Sequence, residues 1–154
     1  MKTKLSLISS LLLLALFVTA CRNQPIIPSA EAGPTTSHGG PVEDHVGLID
    51  SLRNAGATIE FGDQVEQVFF TVKGGIIKVN GADVQEFEYE TSEAMEADAA
   101  QVAPDGGSVG TSMVTWVAAP HFYKAGRILV LYIGDDQAIL DLLEGALGSQ
   151  FAGR

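Results

Sequence analysis

The sequence of 154 residues predicts an α+β fold, with a single antiparallel or mixed sheet and helices packed on one face. Segments of helical periodicity alternate with short β-rich runs in the order helix, four strands, helix, two strands, helix. One run, residues 84–89, alternates acidic side chains with apolar or amide ones, which is typical of an antiparallel sheet with one solvated face. A strand-helix-strand segment over 84–117 leaves a mixed sheet open.

Residues 113–134 are the most apolar part of the chain after its N-terminal segment, and they predict a core hairpin. Its expected strands are 113–117 and 127–133, because both are rich in β-branched and aromatic residues. Pro120 and Gly126 bracket a short excursion between them. Two strands alone are marginal in water, so the other elements must cover this pair.

Three helices are predicted from their end signals. The first begins near Pro41 and ends at Gly56, the second spans 92–102 after the cap Thr91, and the third ends at Gly148. Asp135 or Asp136 is expected to cap the third. The residues expected to face inward are Val42, Val46, Ile49 and Leu52 in the first, Met95, Ala99 and Val102 in the second, and Ile139, Leu142, Leu143, Ala146 and Leu147 in the third.

Four short strands are predicted between the first two helices, at 58–61, 67–72, 76–79 and 84–89. Glycine-containing pairs separate several of them. Asn80-Gly81 favours a tight hairpin, because both residues tolerate positive φ.

The N-terminal segment predicts export. Lys2 and Lys4 precede an apolar run of 14 residues, 5–18, which is short of the roughly 20 that a membrane-spanning helix needs. The motif that follows, Val18-Thr19-Ala20-Cys21, resembles the lipobox of bacterial lipoproteins. This resemblance implies that residues 1–20 are a lipoprotein signal peptide, and that Cys21 is acylated, for example with palmitate, and becomes the mature N-terminus.

The mature chain is expected to have a tether and one domain. Residues 21–40 comprise Cys21 and a Pro-, Gly- and Ser-rich flexible segment, and 41–154 form a single α+β domain. Cys21 is the only cysteine, so no disulfide forms within the chain. Residues 48–154 also resemble small bacterial lipoprotein domains of unassigned function, a resemblance that implies no activity.

Charge limits the partners. From Cys21 onward the chain has 7 basic and 19 acidic residues, a formal charge of −12, which argues against a nucleic-acid partner. The same charge is repelled by an anionic bilayer, so we expect the domain to stand away from the membrane on its anchor. The expected partners are the membrane, through the lipid on Cys21, and a protein or small molecule that the sequence does not identify.

Three glutamates are the first candidate site. Glu86, Glu88 and Glu90 share one face of a predicted strand, about 6–7 Å apart along it. A solvated acidic face is the plain interpretation, and a weak calcium site or a docking face for a basic partner is the alternative. No other metal site or cofactor is predicted, since the spacing of His38 and His45 matches no common ligand pattern.

His121 is the second candidate, taken as the only histidine within the folded part, since His38 and His45 flank the tether and the first helix. Beside aromatic residues at a strand connection it is expected to be packed and hydrogen-bonded, and a catalytic role is the alternative. The G-x-S-x-G pattern at 106–110 lacks the strand-serine-helix context of a nucleophile elbow, so it predicts a glycine-rich loop.

Two functions are compatible with these features. The first is a non-enzymatic binding or structural role of a lipid-anchored domain at the extracytoplasmic face of a bacterial membrane. The second is a small hydrolase or transferase using His121 with a carboxylate. A catalyst should place His121 at the edge of a cleft with an acid or hydroxyl within hydrogen-bond reach, and without that cleft the first function stands.

Overall fold

The computed structural model describes residues 40–154, and its main element is an antiparallel sheet of six strands. The predicted signal peptide, Cys21 and the tether up to residue 39 lie outside this range. The helices are α1 (His45–Asn54), α2 (Ser92–Ala99) and α3 (Gln137–Leu147), and the strands are β1 (Ile59–Val65), β2 (Gly74–Val79), β3 (Ala82–Glu88), β4 (Ser108–Val109), β5 (Ser112–Met113), β6 (Pro120–Ala125), β7 (Ile128–Ile133) and β8 (Ala152–Gly153).

The main sheet has the order β1-β2-β3-β7-β6-β8, and β4 and β5 form a separate two-stranded ladder. Every pairing between these strands is antiparallel. The α+β class is therefore confirmed, and of the two sheet types left open the antiparallel one is found. None of the helices within 40–154 has the length and apolar character needed to cross a bilayer.

The core hairpin is formed by β6 and β7, so the prediction that 113–117 is its first strand is wrong. Side chains of Met113 and Val117 are 93% and 98% exposed, whereas Val114 and Trp116 pack against a buried cluster. Alternating burial of this kind makes a packed loop look like a strand in sequence. The predicted excursion is itself strand β6, and the chain turns at Gly126 with a φ of +52°.

The predicted strand at 67–72 is also wrong, because these residues form turns and bends. Their aromatic side chains still have a packing role. The ring of Phe70 lies 4.8 Å from that of Phe87, with a steep angle between the two. The backbone N–H of Thr71 donates to the side chain of Asp98 instead of to a neighbouring strand. The other three short strands predicted in this part of the chain are present as β1, β2 and β3.

Both faces of the sheet are covered, which differs from the expectation of one solvated face. Leu52 of α1 and Leu143 of α3 join one buried cluster with Val84 and Val130 of the sheet. Met95 of α2 belongs to a second cluster, on the opposite face, with other β3 and β7 residues. The predicted packing of helices on one face thus holds for α1 and α3, while α2 covers the other face.

Side-chain caps fix the start of each helix, as the sequence predicted for α2 and α3, whereas α1 begins at His45 after the Asp44 cap and not near Pro41. Asp44, Thr91 and Asp136 accept hydrogen bonds from the first turns of α1, α2 and α3 respectively. Gly148 ends α3 with a φ of +82°. The inward stripe of α3 is confirmed, with Ile139 and Leu143 fully buried and Leu142, Ala146 and Leu147 packed at the margin of the same cluster.

Candidate functional site

An open groove of about 350 Å³ is formed by α1 and the strands β1, β2 and β3. It lies on the α1 side of the sheet. The residues that give it chemical character are His45, Phe61, Lys73, Gly75, Glu86 and Glu88.

His45 and Glu86 form the central contact of this groove. His45 is the first residue of α1, and the Asp44 cap sets its position by accepting the N–H of Gly47 at 3.0 Å. Glu86 lies within β3, paired with Gly75 on one side. Nδ1 of His45 and Oε2 of Glu86 are 2.6 Å apart, so the imidazole is held by a carboxylate beneath it.

Glu86 is a buried carboxylate, with only 5% of its surface exposed. Burial raises its pKa, and the hydrogen bond and charge of His45 oppose that rise, while Glu88 and Asp44 add to it. Its second oxygen, Oε1, is buried and has no hydrogen-bond donor among the described residues. An ionised Glu86 is therefore stabilised on one oxygen only, and adding positive charge to the groove would favour its charged form.

Glu88 lies at the rim and is already paired. Its carboxylate accepts from Arg127 Nη2 at 2.7 Å and from the backbone N–H of His45 at 3.3 Å. Arg127 also approaches Asp44 Oδ2 at 3.6 Å and donates to the backbone oxygen of Tyr89 at 3.1 Å. One guanidinium thus connects the start of α1 to the end of β3.

The other side of the groove is apolar and glycine-rich. Phe61 is 62% exposed, and its ring centroid lies 5.8 Å from that of His45. The β1–β2 register shifts between Phe61 and Gln64, which marks a bulge in this edge strand. A side chain at Gly75 would meet nothing within 4 Å, so the missing Cβ contributes to the open space.

One cation lines the groove in addition to the histidine. Lys73 Nζ lies 3.2 Å from Glu66 Oε2, and both side chains are about two-thirds exposed, at 67% and 66%. Water and salt screen an exposed pair of this kind strongly. The buried carboxylate is therefore the less screened charge at the site.

The predicted acidic trio is only partly brought together. Glu86 and Glu88 share a face of β3, whereas Glu90 lies exposed beyond its end. The plain interpretation, a solvated acidic face, is wrong for Glu86, because α1 covers it. Within residues 40–154 no group of three or more histidine, cysteine or carboxylate side chains is arranged to hold a metal ion.

His121 lies elsewhere, on β6, and is 6% exposed. Its Nδ1 is 2.6 Å from the Gln150 side-chain oxygen, and its ring stacks on Tyr132 with centroids 6.2 Å apart. Nε2 is buried without a partner among the described residues. The expected packing of this residue is found, and its hydrogen-bond partner is an amide where the catalytic alternative required a carboxylate.

A second groove, of about 400 Å³, lies beside the glycine-rich loop and the exposed segment before β6. Trp116 lines it, with Nε1 donating to the backbone oxygen of Gly106 at 2.7 Å. Arg154 lines it as well. The lining of this second groove includes no buried carboxylate and no histidine, so it has fewer groups that could bind or react with a ligand than the first groove.

Sequence reasoning missed the role of His45. The two groups that form the central contact are 41 residues apart, and no spacing rule joins them. The only signal was the position of a histidine directly after a helix cap, which is too common to indicate a site. The comparisons add no candidate, since no protein family, curated protein or solved structure gives a significant match to the chain.

Proposed function

We propose that the chain is a lipid-anchored, non-enzymatic binding domain at the extracytoplasmic face of a bacterial membrane. The groove beside α1 holds the ligand or a side chain of the partner. The observation that carries this proposal is the buried carboxylate of Glu86 beneath an open groove, beside His45 and the exposed ring of Phe61. The volume of the groove, about 350 Å³, is at the lower end of the range of about 300–1,000 Å³ common for small-ligand sites.

The anchor and location rest on the sequence. A lysine-flanked apolar segment and the lipobox-like Val18-Thr19-Ala20-Cys21 support export and acylation. A Pro- and Gly-rich stretch follows, which suits a tether. The described part carries 18 acidic and six basic residues, and this excess keeps it away from anionic headgroups while leaving the groove open to a ligand.

The test is a fragment screen by two-dimensional NMR on the full-length protein in nonionic detergent. Fragments that bind in the groove should shift the amides of Phe61, Gly75 and Glu86 together. Gly75→Leu should remove these shifts by filling the groove. Gly145→Leu on α3 is the matched control, because a side chain there also meets nothing within 4 Å. Fragments that shift only other surfaces, or that bind Gly75→Leu as well as wild type, would contradict the proposal.

Hydrolysis is a second candidate function, and it is favoured by the His45–Glu86 pair. His121, for which catalysis was predicted as the alternative, bonds to Gln150, whereas His45 lines the groove with the Glu86 carboxylate in hydrogen-bond reach. Glu86 would orient the imidazole through Nδ1, and Nε2 would take a proton from water as its oxygen attacks the carbonyl carbon of a small ester. The acyl C–O bond then breaks, and Nε2 returns the proton to the departing alkoxide. Hydrolysis of p-nitrophenyl acetate that survives His45→Gln would rule out this function.

A further inference from the structure

We infer that the groove binds the cationic end of its ligand, an ammonium or guanidinium group. This inference rests on the proposed binding function and names the chemistry of the bound group. Two independent features support a cation: the electrostatics around Glu86 and the exposed aromatic ring of Phe61 at the same groove.

The first feature is an incompletely stabilised carboxylate. Glu86 is 5% exposed, and its Oε1 lacks a hydrogen-bond donor among the described residues. A positive group in the groove would act on this charge through a poorly screened environment, whereas an anion there would meet both Glu86 and Glu88. Binding of a cation thus supplies part of the stabilisation that the folded protein lacks at Glu86.

The neighbouring charges do not reverse this preference. Arg127 is occupied by Glu88 at 2.7 Å and also lies near Asp44 at 3.6 Å. Lys73 is exposed beside Glu66, so its repulsion is screened. His45 contributes a positive charge only when protonated. Residues 40–154 include 18 acidic and six basic residues, and this net negative charge adds a long-range attraction for cations.

The second feature is the ring of Phe61, which is 62% exposed beside His45. The face of an aromatic ring attracts ammonium and guanidinium groups, and the alkyl chain that carries such a group can cover the rest of the ring. Gly75 leaves room for that chain on the adjacent strand. A neutral ligand would use the ring and the space but would lack the charge attraction to the carboxylate.

The test compares ligands of equal shape and different charge. N-acetyl-argininamide and N-acetyl-citrullinamide differ in a guanidinium against a neutral urea, and N-acetyl-lysinamide provides the ammonium. Each is titrated at millimolar concentration into the full-length protein in nonionic detergent, and affinity is read from NMR shifts at Phe61, Gly75 and Glu86. We expect the two cations to bind at least about tenfold more tightly than the citrulline compound, since the lost charge pair is worth on the order of one such factor.

Three variants and one control locate the effect. Glu86→Gln should weaken cation binding about tenfold while leaving the citrulline compound unchanged. Phe61→Leu should weaken all three ligands, and the cations most. Gly75→Leu should abolish binding, and Gly145→Leu should retain it. If Glu86→Gln does not fold, the exposed Phe61 and the open position Gly75 keep the test decisive.

The outcomes separate this inference from the proposed function. Equal affinity of the groove for the citrulline and arginine compounds would overturn the inference of a cationic ligand but would agree with the proposed binding function. No shift at the groove with either cation would also overturn it. Shifts elsewhere that Gly75→Leu leaves unchanged would overturn both. A capped pentapeptide with one central arginine shows whether the cationic group belongs to a protein partner or to a small molecule. Binding about tenfold tighter than that of N-acetyl-argininamide indicates a protein partner, and equal affinity indicates a small amine.

Discussion

Nδ1 of His45 lies 2.6 Å from Oε2 of Glu86, a contact that joins the first turn of α1 to the interior of β3. The carboxylate is buried and the histidine is 37% exposed, so one partner belongs to the core and the other to the groove. The contact fixes the helix to the sheet at the point where residue 44 caps α1. Stability and ligand binding are therefore both expected to depend on the charge of Glu86.

The first prediction concerns pH. In the folded protein, burial raises the pKa of Glu86 above the usual 4.5, which the unfolded chain keeps. Between these two pKa values the folded state binds more protons than the unfolded chain. Its contribution to stability is complete below the usual value and is lost as the pH rises through the raised one. The free energy of unfolding of wild type, relative to Glu86→Gln, should accordingly fall as the pH rises from the usual pKa through the raised one.

Urea melts of both proteins across this interval measure the difference. Glu90→Gln is the matched control, because Glu90 lies exposed beyond the end of β3. A pH trend of the same size with Glu90→Gln would assign the effect to overall charge instead of burial. A difference for Glu86→Gln that rises with pH would show that the bond to His45, and not burial, dominates.

The second prediction is that millimolar calcium leaves the Tm unchanged. Calcium needs six to eight oxygen ligands, whereas Glu86 is held by His45 and Glu88 by Arg127. The measurement is thermal melting of wild type and of the double variant Glu86→Gln/Glu88→Gln. A rise of several degrees in wild type that the double variant loses, and that matched ionic strength does not reproduce, would establish a calcium site by mass action on the folded state.

Elements with strong local signals were predictable from the sequence. The helices α2 and α3 begin at the predicted side-chain caps and bury or partly bury the predicted apolar residues, and both features depend only on residues within a few turns. The start of α1 was predicted near Pro41 and lies at His45, and its Val46, predicted to face inward, is 39% exposed. The hairpin between β2 and β3 has a local signal, as α2 and α3 do. Asn80 and Gly81 adopt φ values of +51° and +88°, as a tight turn of this sequence requires.

Elements that depend on distant partners were not predictable in this way. The 67–72 and 113–117 segments have strand-like composition because their aromatic or β-branched side chains pack in the core, and β-propensity measures that packing more than backbone pairing. The burial of Glu86 likewise depends on α1, which is remote in sequence. A pattern of alternating glutamates describes one strand and contains no information about the helix that covers it.

The third prediction tests the corrected core. Leu143 has no exposed surface and belongs to the cluster that α1 and α3 share, so Leu143→Ala should cost about 2–5 kcal/mol. Val117 is 98% exposed, and Val117→Ala should change the free energy of unfolding by less than about 0.5 kcal/mol. Urea melts measure both. A loss above about 2 kcal/mol for Val117→Ala would restore the 113–117 segment to the core.

The fourth prediction concerns the anchor. Cys21→Ala should abolish acylation and leave most of the precursor uncleaved. Residues 18–21 resemble the lipobox of bacterial lipoproteins, in which both acylation and signal-peptide cleavage need the cysteine sulfur. Metabolic labelling with a fatty acid measures the acylation, and the size of the accumulated chain shows the processing. Cys21→Ser is a conservative control that should behave in the same way. Label incorporated into either variant would be incompatible with the anchor at this position.

The last prediction concerns Asp98, a carboxylate that is 2% exposed on α2. Its Oδ2 accepts from the Thr71 backbone N–H at 2.7 Å, from the Thr71 hydroxyl at 2.9 Å and from the Tyr89 hydroxyl at 2.9 Å. Burial raises the pKa of Tyr89, and the hydrogen bond from its hydroxyl to Asp98 and the charge of Asp98 raise it further. The hydroxyl therefore keeps its proton and donates. Asp98 thus holds the 67–72 turn against α2 and the end of β3.

Asp98→Ala should therefore cost about 2–3 kcal/mol in urea melts, because it leaves the buried Tyr89 hydroxyl without its acceptor and releases the backbone at Thr71. Tyr89→Phe removes one donor and keeps the ring, so it should cost only about 0.5–1.5 kcal/mol. Asp141→Ala, at an exposed carboxylate on α3 that accepts from Gln137, should stay within about 0.5 kcal/mol. A loss for Asp98→Ala no greater than that for Asp141→Ala would mean that packing of the aromatic side chains alone, without this carboxylate, holds the turn in place.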